Sequence, residues 1–341
     1  DRFGSSGQER LLNSHVVIVG CGGLGSIVAP YLAGSGIGSI TLVDGDVVDI
    51  TNLHRQVLYT EADAGLKKAS VLGDKIHMLN SSININAIDN HITKSNISTI
   101  LESADVVVEC TDNIQVKYLI NDFCHINSVP MVYGAIHKYD GYVSFFDNLS
   151  TDSIMLRDIY PEITDRVPSC SEVGVIGTIA GIIGLIQAND TIKYISGMGE
   201  VLIGKMLSYN MLTNDQMILR LKKTYHKNLR SVYQNSNYDI VYCDTVPTIS
   251  YQDLMSQRSS FILISILEDH EHEAIDSDVI RHPMSTLDSE PIIPEEGKRY
   301  VLCCRSGQRS LRAVNEILTD HSIAEVYSLI GGLDSTKRSD D

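Results

Sequence analysis

Residues His15 to Gly36 read HVVIVGCGGLGSIVAPYLAGSG. An apolar, β-branched run ends at Gly20, and a helical pattern extends from Ser26 to Ser35, opened by further glycines. The run predicts a strand buried on both faces. Gly20-Cys21-Gly22-Gly23-Leu24-Gly25 fits G-x-G-x-x-G between that strand and the helix. Glycines at Gly20, Gly22, Gly23 and Gly25 let the backbone turn tightly and approach a phosphate. The helix N-terminus adds free N–H groups and a positive dipole end. Ser39 to Val43 reads as a second strand. Asp44 follows it, about twenty residues beyond the glycines, where a carboxylate holds ribose hydroxyls. This β-α-β unit predicts a parallel sheet in an α/β, Rossmann-like nucleotide-binding domain.

The next stretch bears on which nucleotide. Leu42 to Gln56 reads LVDGDVVDITNLHRQ. A dehydrogenase needs an acidic residue here for the ribose and little else. This segment adds an amide, an arginine and a glutamine, which suit a triphosphate under attack. Arg55 and the later Lys68 carry the charge that neutralises phosphate oxygens, the arginine bidentately. Asn52 stands beside them. Asp112 follows the buried strand Asp105–Glu109, on the carboxyl edge of the sheet where ligands collect. An aspartate there is a candidate Mg²⁺ ligand, because Mg²⁺ usually binds one or two carboxylates plus phosphates. No G-x-x-x-x-G-K-[ST] occurs, which excludes a P-loop.

Outward from this centre, Leu66–Leu79 and Gln115–Asn127 read as helices, and Ile83–Ala87, Pro130–Gly134 and Tyr142–Phe146 as strands. Thr151–Ser169 reads as a mobile crossover loop. Val173–Ala188 is uncharged but shorter than the ~20 residues a membrane span needs, so it reads as a buried helix. Gly204–Leu221 reads as the closing strands. Residues 222–246 form a polar, weakly patterned linker. With 341 residues the chain exceeds the roughly 250–300 residues of one core. A second, smaller α/β domain is expected over 247–335, with strands at Phe261–Leu267, Arg299–Cys303 and Glu325–Leu329 and a helix at Arg309–Thr319.

The formal net charge of −16 argues against broad nucleic-acid binding, which needs a basic face. Seven cysteines, an odd number with no CxxC spacing and no visible secretory leader, point to a reducing, cytoplasmic setting with no membrane role. In the second domain Cys304-Arg305-Ser306-Gly307-Gln308-Arg309-Ser310 joins a strand to a helix. A cysteine there faces backbone N–H groups and a helix N-terminus, a field that favours thiolate or persulfide. Arg305 and Arg309 add positive charge. Cys303, inside the strand, suits a buried structural thiol; Cys304 does not.

GCGGLG, LVDGDVVDITNLHRQ, Gly65-Leu66-Lys67-Lys68, Cys110-Thr111-Asp112-Asn113 and Cys170-Ser171-Glu172-Val173-Gly174-Val175 stand in the order of the ThiF/MoeB/HesA family. The resemblance covers roughly Gly7 to Leu221. The Cys304 loop and Ser328–Leu333 resemble a rhodanese domain. These resemblances imply ATP-dependent adenylation of the C-terminal carboxylate of a ubiquitin-like sulfur carrier. Sulfur transfer from a Cys304 persulfide, charged by a persulfide or thiosulfate donor, would follow and give a thiocarboxylate. Asp44 would bind the ribose, Asn52, Arg55 and Lys68 the phosphates, and Asp112 Mg²⁺. Cys170 matches the family's loop cysteine, which in some members bonds to the carrier. Gly307 and Ser310 complete the persulfide loop with Arg305 and Arg309. Members form homodimers, and an N-terminal Arg-Gln segment, whose arginine reaches the partner subunit's ATP, would lie ahead of Phe3-Gly4.

This sequence departs from the family's pattern in places. Many relatives hold a structural zinc with two CxxC pairs. Here those regions read Asp152–Arg157 and Thr224–Lys227 without a cysteine, so no structural zinc is expected. The rhodanese Asp-Val-Arg is replaced by Ser265-Ile266-Leu267, and the closing tryptophan is absent. Other readings stay open: an NAD(P)-dependent oxidoreductase, an adenylating enzyme for a small molecule or tRNA, or a binder without turnover.

Overall fold

The computed structural model describes residues 4–162, 175–236, 238, 246–268, 271, 279–287, 289–295, 297–305, 307–321 and 324–333. Cys170, most of the segment around it, and Ser306 lie outside the described residues. The chain divides into two compact units, 1–239 and 240–341.

In the first unit α1 spans Gly4–Leu12, β1 His15–Val19, α2 Gly25–Ser35, β2 Ser39–Val43, α3 Lys68–Leu79 and β3 Asn84–Ile88. Next come α4 Ile97–Leu101, β4 Val106–Glu109, α5 Ile114–Ile126, β5 Met131–His137, β6 Asp140–Phe146 and α6 Leu156–Ile159. The unit closes with α7 Gly177–Ser196, β7 Lys205–Asn210, β8 Gln216–Arg220 and α8 Leu229–Asn235. The strands form one sheet in the order β3-β2-β1-β4-β5-β6-β7-β8. Pairing is parallel from β3 to β5 and antiparallel from β5 to β8. The chain runs outward from β1 to β3, then returns to lay β4 on the other side of β1. That reversal opens a crevice at the carboxyl ends of β1 and β4, the usual ligand position in such sheets. Val16, Val17, Ile18, Val106, Val107 and Val108 are all fully buried, as strands covered on both faces require.

Two expectations are corrected. The helix expected over Val173–Ala188 starts later, at Gly177, and continues to Ser196. Asp190 does not break it, because its carboxylate accepts the Leu202 N–H at 3.0 Å and pairs with Lys193 at 2.5 Å. The helix ends where Gly197 takes a left-handed conformation (φ 70°) and returns its N–H to the last turn. No helix of the described residues is long and apolar enough to cross a membrane.

The linker expected from residue 222 is also corrected. Tyr225, Leu229 and Tyr238 are buried, and Met155, Tyr225 and Leu229 share a small apolar cluster. The first unit therefore runs past Leu221 to Asp239. Asp158 joins Asp152–Arg157 to Thr224–Lys227, the two segments where the resemblance would place zinc-binding cysteines. Its Oδ1 accepts the Thr224 and Tyr225 N–H groups at 2.7 and 2.8 Å. Its Oδ2 accepts the Met155 N–H at 2.9 Å and pairs with Lys223 at 3.3 Å. One carboxylate and no thiol do not fit a zinc site of that kind. Beside it Arg157 grips Asp122 with both Nε and Nη2, in a fully buried pair that Tyr238 also joins at 2.5 Å.

The second unit contains β9 Thr248–Ile249, α9 Tyr251–Ser256, β10 Phe261–Ser265, β11 Ile280–Arg281, β12 Arg299–Cys303, α10 Gln308–Asp320 and β13 Glu325–Leu329. Its five strands are all parallel, in the order β11-β10-β12-β13-β9. Apolar residues pack on both sheet faces: Leu302, Val314 and Val326 in one cluster, Val301, Leu254 and Leu329 in the other.

Candidate active site

The glycine loop leaves β1 at Gly20, whose φ of 93° only glycine adopts without strain. A methyl group there would lie 2.7 Å from the Cys110 carbonyl oxygen, so the loop is pressed against the exit of β4. At Gly25 a methyl group would lie 1.9 Å from the Gly20 carbonyl oxygen. The loop thus folds back on itself before α2, where the Gly22 carbonyl accepts the Ser26 N–H at 3.0 Å and the Leu24 carbonyl accepts the Ile27 and Val28 N–H groups at 2.9 and 3.0 Å.

Asp44 anchors this loop. Its Oδ2 accepts the Cys21 N–H at 2.7 Å and its Oδ1 the Asp46 N–H at 2.8 Å. Burial pushes its carboxyl pKa up, while Lys68 pulls it down. Lys68, also buried, donates to Asp46 at 3.0 Å. Burial works against its charge, but Asp44 and then Asp46 outweigh that and raise its pKa; Asp112 acts in the same direction. Asp44, Lys68 and Asp112 therefore share one electrostatic environment. The Tyr59 hydroxyl donates to the Cys21 carbonyl at 2.7 Å and the Lys68 carbonyl at 3.3 Å, tying the loop to the start of α3. Cys21 and Cys110 line the floor, and burial holds both thiols well above their ordinary range.

The Asn52–Gln56 turn closes another side. The Asn52 carbonyl accepts the N–H groups of Arg55 and Gln56, each at 3.0 Å. The Arg55 side chain lies beside Gly23, and its Nη1 meets His54 Nε2 at 3.2 Å. Gln56 is buried against Gly22, and its Oε1 has no hydrogen-bond partner among the described residues. Helix α7 backs the pocket: a methyl group at Gly177 would lie 2.2 Å from the His54 carbonyl oxygen, and the Ala180 methyl sits close to Gly23.

Asp112, at the exit of β4, is exposed, and its carboxylate has no hydrogen-bond or ion-pair partner among the described residues. A free carboxylate oxygen beside Lys68 and a glycine loop fits a hard cation carried with phosphates. The structure thus gathers Gly20, Gly22, Gly23, Gly25, Asp44, Asn52, Arg55, Lys68 and Asp112 at one edge of the sheet. Sequence reasoning missed Glu109, Lys117 and Gln187. These three meet only through tertiary pairing, and no local signal marks them.

In the second unit Cys304 follows β12 and is 0% exposed, as is Cys303. Burial therefore does not separate the two thiols, contrary to the expectation that Cys304 escapes it. What each sulfur faces does. Cys304 Sγ accepts the Gly307 N–H at 3.2 Å and the Ser310 N–H at 3.4 Å, and the Ser310 hydroxyl lies 3.6 Å away. Both cysteines belong to apolar clusters, one on each sheet face, and burial pushes the Cys303 thiol up to about 12. Arg305 is exposed. Arg309 does not lend its charge to Cys304 freely: Glu271 holds it in a two-pronged pair at 2.6 and 2.8 Å. Gly332 packs on the loop, with no room for a methyl group 2.3 Å from the Cys304 carbonyl oxygen.

Fold and site define a Rossmann-like nucleotide-binding unit with its ligand edge at the β1–β4 switch point. The chain belongs to the ThiF family, whose model matches residues 1–231. It is 35% identical over 267 residues to the probable molybdopterin-synthase adenylyltransferase of Gracilaria tenuistipitata var. liui, covering 78% of this chain and 73% of that protein. It is 30% identical over 348 residues to the probable adenylyltransferase/sulfurtransferase MoeZ of Mycobacterium tuberculosis, covering 97% and 88%. Among solved structures it resembles E. coli MccB with ATP at a TM-score of 0.56, with 24% identity over 65% of this chain and 69% of that one. That likeness concerns the fold.

Proposed function

We propose that the chain is an adenylyltransferase of the ubiquitin-activating-like class. It activates the C-terminal carboxylate of a ubiquitin-like sulfur carrier with ATP and then loads sulfur from a Cys304 persulfide. The observation that carries the first step is the meeting, at one sheet edge, of a glycine loop, two phosphate-type cations and an unpaired carboxylate. The similarity to an adenylyltransferase/sulfurtransferase over 97% of this chain and 88% of that protein supports the second.

In this reading Asp44 holds the ribose, and the glycine loop and the α2 N-terminus face the phosphates. Asn52, Arg55 and Lys68 position the triphosphate and offset its charge. Asp112 would hold Mg²⁺, which supplies further charge neutralisation when bound. The carrier carboxylate attacks the α-phosphorus, the bond to the β-phosphate breaks, and pyrophosphate leaves. Positioning and charge stabilisation do most of this work. The outer sulfur of the Cys304 persulfide then attacks the acyl carbon and AMP leaves. A second thiol, the role expected of Cys170, attacks the Cys304 sulfur. A Cys–Cys disulfide forms and the thiocarboxylate departs. The sulfur would come from a persulfide or thiosulfate donor, and the enzyme would act as a cytoplasmic homodimer.

The test is carrier-dependent ATP–pyrophosphate exchange run beside thiosulfate sulfurtransferase activity. Asp112→Ala is expected to abolish exchange and spare sulfur transfer, and Cys304→Ala to do the reverse. If both variants kept both activities, the assignment would fail.

A further inference from the structure

Beneath the Asp112 turn lies a buried ion pair that no step of the proposed reaction uses. Glu109, the last residue of β4, has a fully buried side chain, and that of Lys117 on α5 is 8% exposed. Lys117 Nζ lies 2.5 Å from Glu109 Oε2 and donates to the Gly134 carbonyl on β5 at 2.7 Å. The other carboxylate oxygen accepts two hydrogens from Thr111, from its N–H at 2.8 Å and its hydroxyl at 2.6 Å. The Glu109 carbonyl accepts Gln187 Nε2 from α7 at 2.8 Å. The far side of the turn is pinned too, since Asn113 Oδ1 caps α5 by accepting the Val116 N–H at 3.1 Å. Asp112 stands between these two anchored residues.

A buried carboxylate–ammonium pair is an unfavourable way merely to join a strand to a helix. Both charges lose their water, and apolar residues of similar volume often serve as well or better. What an apolar pair lacks is an acceptor aimed at Thr111. We infer that Glu109, with Lys117 and Thr111, is a positioning device that sets the Asp112 carboxylate for a divalent cation. The inference rests on the assignment of Asp112 to Mg²⁺ made above.

The probe is Mn²⁺, whose free-ion paramagnetic resonance signal falls on binding, titrated into full-length protein with ATP and no carrier. Glu109→Gln keeps the shape and removes the charge. It is expected to weaken Mn²⁺ binding by about 10- to 100-fold, the range seen when a group that orients a metal ligand is lost. Thr111→Val leaves both buried charges in place, so it tests the same point if the glutamine variant does not fold. It should shift binding in the same direction by less. Lys117→Arg should retain Mn²⁺ binding that Lys117→Met loses. Unchanged Mn²⁺ affinity in Glu109→Gln and Thr111→Val, beside a loss in Asp112→Ala, overturns the inference alone. Unchanged affinity in Asp112→Ala overturns the metal assignment, and the inference with it.

Discussion

Gly25 has no room for a side chain, because a methyl group would lie 1.9 Å from the backbone oxygen of Gly20. Gly25→Ala must move that carbonyl, at a strain of about 1–3 kcal/mol. Because Gly20 belongs to the same loop, the expected result is a loss of ATP affinity of about tenfold, or 1.4 kcal/mol, measured by calorimetry. Unchanged affinity would show that the loop does not meet the nucleotide. The paired cysteines give a second contrast at this scale. Cys304 Sγ accepts two backbone N–H groups, while Cys303 lies among apolar side chains. Cys303→Ala should keep thiosulfate sulfurtransferase activity that Cys304→Ser loses. The glycine motif and the Cys304 loop were legible in the sequence because each is a short run whose backbone demands are local. Arg309 was not: a carboxylate 38 positions away, Glu271, holds its guanidinium.

At the scale of elements, Asp158 ties the Met155–Ile159 turn to the start of the closing segment through three hydrogen bonds and an ion pair. Asp158→Ala leaves the part-buried Met155 and Tyr225 N–H groups unpaired and should cost about 1–3 kcal/mol, read as a fall in denaturation midpoint. Chelator should not lower the wild-type midpoint. A large chelator effect would mean that a metal, and not Asp158, holds this junction. Near it, burial lowers the His125 pKa below 6.5. The folded state therefore refuses a proton that the unfolded chain accepts. Stability should fall as pH drops through the ordinary imidazole range of about 6.5. His125→Asn should flatten the slope of unfolding free energy between about pH 7 and pH 5; an unaltered slope would assign it to another group.

The whole molecule holds two units with separate apolar cores, one around the eight-stranded sheet and others around the five-stranded sheet. Leu302→Ala, at a fully buried position of β12, should cost about 2–5 kcal/mol in the second unit. Calorimetry should show one transition lowered, with pyrophosphate exchange preserved at 25 °C. A parallel loss of exchange would mean that the adenylation step needs the intact second unit. The β-α-β start, the glycine loop and the polar run from Asn52 to Gln56 were readable without coordinates. Their chemistry follows from covalent geometry, side-chain period and backbone hydrogen bonding over a few residues. Tertiary structure alone decided that α7 continues through Asp190 and backs the nucleotide loops. It decided that residues 222–236 join the first unit, and that Glu109 reaches Thr111, Lys117 and Gln187 at once. Those outcomes depend on partners far apart along the chain, up to 78 positions for Glu109 and Gln187, and no local preference encodes which buried polar group will find which.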